Sequence, residues 1–154
     1  MDQMTKNAIS ATLHCLTGCA IGEILGMMIG THYQLGNTVT VILSITLAFL
    51  FGYTLTFIPI KRSGMSTRAA IRTTLAADTI SITSMEIIDN LIMIVIPGAM
   101  MAGLNSGLFW GSLATSLVLA FIVTVPVNRW LIARGKGHAV VHAMHGHDHE
   151  HMDH

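Results

Sequence analysis

Two stretches of this sequence set reactive side chains at helical spacing. Cys15, Cys19, Glu23 and Met27 recur every four residues, so a helix puts them in one stripe, with His14 beside it. Asp78, Met85, Glu86, Asp89, Met93 and Met100 share a face in the same way. Sulfur, imidazole and carboxylate together are the ligand set of a transition metal. A third concentration begins at His138. It holds seven of the nine histidines, interleaved with Asp148, Glu150 and Asp153. In it His145, His147, His149 and His151 alternate with other residues, and such a tract binds divalent ions through neutral imidazoles without needing a fold.

Each of these residues also has a plainer use. A single Met in an apolar chain is most often filler, and paired cysteines in a helix are often small packing residues. A lone Glu can be protonated and bonded to a neighbouring helix, and Asp78 suits a helix N-cap or an interface. Glu86 and Asp89 are harder to explain structurally. Matching faces on two helices raise the metal reading above the plain one.

The elements that carry these stripes belong to a membrane protein. The chain has 154 residues, 52% of them hydrophobic and 10% charged, against about 25% charged in a typical soluble domain. Its mean hydropathy is +0.64. So few charges do not cover the surface of a small soluble protein. This excludes a soluble globular enzyme. Eight basic residues balance eight acidic ones, which leaves no basic footprint for nucleic acid. The expected partners are a metal ion and membrane lipid.

Four apolar runs are long enough to span a bilayer: 8–29, 38–58, 79–104 and 108–127. The expected fold is all-α, a polytopic membrane protein with four transmembrane helices over residues 1–135. A disordered His-rich metal-binding tail is expected over 136–154. Pro59 is expected to end the second helix and Pro97-Gly98 to kink the third. Residues 65–77 should form a short helix behind Ser66, either on the membrane surface or continuous with the third span. Gly18, Gly22, Gly26 and Gly30 let another backbone approach the first helix, from the third helix or a second subunit.

Lys6, Lys61, Arg62, Arg68, Arg72, Arg129, Arg134 and Lys136 all fall at one end of this arrangement. Both termini and the 2–3 link are therefore expected on the cytoplasmic side. Leu16-Thr17-Gly18-Cys19 fits a lipobox, but the preceding apolar stretch is short and contains His14, so lipoprotein processing is not expected. The cysteines are expected as reduced thiols. Their Cα atoms lie about 6 Å apart on a regular helix, with side-chain directions that do not favour a disulfide.

His14-Cys15-x-x-Gly18-Cys19 with Gly22-Glu23, followed by Ala77-Asp78-Thr79-x-Ser81-x-Thr83-x-x-Glu86, resembles a family of small bacterial membrane proteins defined as domain of unknown function 4396. The resemblance covers roughly residues 8–135 and implies a shape, not an activity. By that resemblance His14, Cys15, Cys19, Glu23, Asp78, Ser81 and Glu86 are the positions to watch.

The functional expectation is a multi-pass protein of the bacterial inner membrane that conducts or carries a transition-metal ion, and not an enzyme. Glu23, Glu86 and Asp89 would form the mid-membrane part of the path, and His14, Cys15 and Cys19 its cytoplasmic half. Met27, Met28, Met100, Met101 and His32 lie towards the outer end. Thiols and thioethers favour Cu(I), which is the expected ion by a small margin, while the carboxylates keep zinc, nickel or iron next. Four helices make a thin wall for a pore, so a homo-oligomer is expected. There is no Walker-type phosphate loop, so transport would be passive or ion-coupled. The rival from another class is a redox or sensory protein using the cysteine pair or a haem. A third is a structural subunit of a membrane complex.

Overall fold

The structure is a computed structural model that describes residues 2–62 and 64–134. The tail with His145, His147, His149 and His151, and the side chain of Met100, lie outside the described residues. Four α-helices follow in order: α1 (Gln3–His32), α2 (Asn37–Arg62), α3 (Thr67–Val95) and α4 (Gly107–Ala133), with a single 3₁₀ turn at Ala99–Met101 between α3 and α4. No strand occurs among the described residues. α1, α2 and α4 are long and apolar enough to cross a membrane. α3, which carries Asp78, Glu86 and Asp89, is not among them.

The helices run past the apolar windows because polar residues cap them. Asp2 accepts a hydrogen bond from the Thr5 amide at 2.8 Å, and Ser66 accepts one from the Ala69 amide. Ser66 thus starts α3, and residues 67–77 continue directly into the third helix. The expected 79–104 span is corrected at both ends. α3 stops at Val95, because Pro97 disfavours helical backbone at Ile96 and Gly98 takes a left-handed conformation at φ 80°. Pro59, by contrast, does not end α2, which continues to Arg62.

The glycine stripe of α1 packs on α2, not on α3 or a second subunit. Gly18 faces Gly52, Gly22 faces Ala48, Gly26 faces Ser44 and Gly30 faces Thr40. Each pair of numbers sums to 70, the register of two antiparallel helices in close contact. A Cβ on Gly18 would sit 2.7 Å from the Gly52 Cα, so only glycine fits there. α4 lies on the other side of α1, where Asn128 Nδ2 donates to Thr12 Oγ1 at 2.8 Å and Arg129 pairs with Asp2. α3 packs between α2 and α4 and touches α1 across the diagonal. The two stripes of reactive residues therefore meet on the bundle axis.

Candidate functional site

α1 and α3 run in the same direction, so their stripes align level by level. Cys15 and Asp78 meet lowest, with Cys15 Sγ donating to Asp78 Oδ1 at 3.7 Å. Above them Cys19 lies against Glu86 and Glu23, and Glu23 lies against Asp89. Cys15, Cys19, Glu23, Asp78, Met85, Glu86 and Asp89 are all buried. Charged groups with no Lys or Arg beside them in the core would each cost about 3 kcal/mol or more inside a bilayer.

The top of this line opens into a cavity of about 330 Å³. Glu23, Glu86 and Asp89 line it with Asn90, and the thioethers of Met27, Met93 and Met101 are on its wall. The 1–2 link (Gln34, Leu35) and the Met101–Gly103 segment also line it. No Lys or Arg lines it. The carboxylates belong to the half of the bundle away from the basic residues: Glu86 and Asp89 fall within the last ten residues of α3. They line the cavity.

Polar partners in this region are few. Ser116 Oγ of α4 bonds to Asp89 Oδ1 and also lies 2.9 Å from the Leu113 carbonyl. Asn90 Nδ2 donates back to the Glu86 carbonyl at 2.9 Å. Glu23 Oε2 and the Ser44 hydroxyl have no hydrogen-bond partner, and the Glu86 carboxyl has only the Cys19 thiol beside it. A buried polar group without a partner costs about 1–3 kcal/mol. A cation entering the cavity would supply what these oxygens lack.

His14 does not join the site. Its Nε2 lies 2.8 Å from the Leu55 carbonyl of α2 and must carry the proton, since a carbonyl only accepts. Leu55 precedes Pro59 by one helical turn, and Pro59 has no N–H to offer that carbonyl. His14 supplies the missing donor. This makes it a repair of the α2 backbone, and its Nε2 is not free to ligate a metal or haem. Among the described residues no three His, Cys, Asp or Glu side chains stand close enough to hold a metal ion between them. Both cysteines are free, buried thiols.

α2 and α4 carry neither reactive stripe, yet both turn polar residues inward. α4 buries Ser112, Ser116, Ala120, Thr124 and Asn128, four residues apart. α2 buries Thr40, Ser44, Ala48, Gly52, Thr56 and Ile60 at the same spacing. The signal was present as small or hydroxylated residues at every fourth position.

Among the described residues, a helical bundle with three helices long and apolar enough to cross a membrane, and a cavity lined by acids, points to the class of membrane proteins. Residues 5–137 match the family described as Domain of unknown function (DUF4396), and the chain belongs to it. No curated protein and no solved structure matches the chain.

Proposed function

We propose that this protein spans the bacterial inner membrane four times and passes a transition-metal cation along the α1–α3 line. α3 is the fourth span: it matches the other helices in length and is held between α2 and α4. Its acids lower its hydropathy and face the bundle interior, as intramembrane acids do. Both termini are cytoplasmic, because the basic residues lie at that end. A reporter fused after residue 154 is then expected inside and one inserted near Gln34 outside. The reverse pattern would invert the path. The chain works as a homo-oligomer, and its His-rich tail meets the ion on the cytoplasmic side.

One observation carries the reading. Three buried carboxyl groups share one cavity, their partners are incomplete, and no basic residue neutralises them. Cation binding supplies both the charge and the coordination they lack. The cavity groups are spread around a space wider than a bare ion, so they would close on it as it binds. The redox and haem alternatives draw less support, since His14 is committed to Leu55.

Glu86→Gln tests this. It keeps size and removes the charge that balances the ion. In proteoliposomes loaded with a metal indicator, flux is expected to fall at least tenfold, which corresponds to a loss of about 1.4 kcal/mol. Thermal unfolding should be unchanged or raised, because a buried charge that no basic residue neutralises is gone. Equal flux in the two proteins would sink the proposal.

A further inference from the structure

Below the cavity lies a second grouping of a different chemical kind. Cys15, Cys19 and Met85 are each at most 2% exposed. They pack in one cluster with Ile82, Ala48 and Ala120. The sulfurs come from both helices of the diagonal pair, two from α1 and one from α3. Each thiol faces an acid: Cys15 faces Asp78, and Cys19 faces Glu86. Glu86 also lines the cavity and follows Met85 in sequence, so one residue joins the two regions.

We propose that Cys15, Cys19 and Met85 form an inner site for a soft monovalent cation, Cu(I) or its analogue Ag(I), in series with the cavity. Two thiols and a thioether are soft ligands, matched to such ions. A hard divalent ion needs about six oxygens, which Ile82, Ala48 and Ala120 do not offer. On ligation a cysteine S–H bond breaks and a sulfur–metal bond forms. The proton passes to the facing carboxylate of Asp78 or Glu86, and no electron is transferred. The arrangement names the ion class for the path proposed above. It rests on that reading for its role in transport, while the ligation itself stands apart from it.

The test uses the full chain in detergent, with Cu(I) titrated anaerobically against a chromogenic Cu(I) chelator. X-ray absorption at the copper edge counts sulfur neighbours. Every variant keeps the tail, so its histidines contribute equally throughout. One Cu(I) bound through two or three sulfurs is expected in the wild type. Cys15→Ser and Cys19→Ser should each weaken it at least tenfold and remove sulfur neighbours. Met85→Leu is nearly isosteric, is expected to fold, and should weaken binding about threefold or more while leaving Zn(II) affinity unchanged. It keeps the test readable if a cysteine variant unfolds. Copper with only nitrogen and oxygen neighbours in the wild type would overturn the inner site. So would sulfur variants that titrate like the wild type. Sulfur-bound Cu(I) in a wild type that moves no metal would support the inner site and overturn the transport reading instead.

Discussion

α1 presents two adjacent faces to the bundle, and they are built by opposite rules. The face with Gly18, Gly22, Gly26 and Gly30 meets α2 backbone against backbone at Gly18 and Gly22, and against the small side chains of Ser44 and Thr40 at Gly26 and Gly30. The face with Cys15, Cys19, Glu23 and Met27 meets α3 across the diagonal through reactive side chains, and widens into a cavity. The first face gives up side chains to gain contact. The second keeps polar groups that lack partners and so forgoes stability. A bundle held together by the second face alone would be poorly determined. The glycine seam fixes the rotation of α1 about its own axis, and that rotation aims the thiols and acids at α3. The seam is therefore a condition for the site although it contains no ligand.

The largest expected effect lies in the seam. A Cβ at Gly22 would overlap the backbone of Ala48, which cannot retreat without moving α2. Gly22→Ala should cost at least the 1–3 kcal/mol typical of overpacking, about the upper end or beyond, and Gly22→Leu should prevent a stable bundle. Thermal unfolding in detergent, followed by helical circular dichroism, checks this. Glu86→Gln, in the other face, should melt no lower than the wild type. If Gly22→Ala melted with the wild type, the contrast between the two faces would collapse.

A smaller effect sharpens the comparison at a point where a reactive-looking residue belongs to the scaffold. His14 neighbours the thiol stripe, yet it bonds to the Leu55 carbonyl that Pro59 leaves unpaired. His14→Ala should cost about 1–3 kcal/mol by stranding that carbonyl. Pro59→Ala restores an N–H to α2, so the same His14→Ala change in that background should cost clearly less. A double-mutant cycle on unfolding free energies measures the difference. Equal costs in both backgrounds would mean that His14 acts elsewhere, and would reopen its place among the ligands.

His14 also marks the boundary of what the sequence made legible. Hydropathy located four helices, and four-residue spacing located both reactive stripes, because helical periodicity is a local property of the chain. Spacing alone could not assign the glycine stripe to α2, since the complementary row from Thr40 to Ile60 contains no charge to draw attention. Helix ends were misplaced for a related reason. Apolar windows follow hydrocarbon, whereas Asp2, Ser66 and Pro97 set the actual limits of α1 and α3. The partnership of Ser116 with Asp89 spans 27 residues and two helices. The partnership of His14 with Leu55 depends on a proline four residues beyond the acceptor. Both are consequences of packing that neither helix records by itself.

The smallest expected effect lies at the far end of α1, away from both faces. Asp2 caps the helix, and hydrogen bonds from Thr5 hold its carboxyl below its ordinary value of 3.8, with a lesser contribution from Arg129 of α4. A depressed carboxyl stabilises the folded state while ionised. Its contribution is therefore fully present above pH 3.8 and is lost as the pH falls below that through the folded-state value. Asp2 is exposed, so solvent screens the Arg129 contact and the cap matters more than the ion pair. Asp2→Asn keeps capping ability and removes only the charge. The wild type should melt slightly above Asp2→Asn at neutral pH, and the gap should close as the solution is acidified. Comparing the two proteins pH by pH cancels the titration of the buried acids, which both share. A gap that widened in acid would show that the charge on Asp2 opposes the fold.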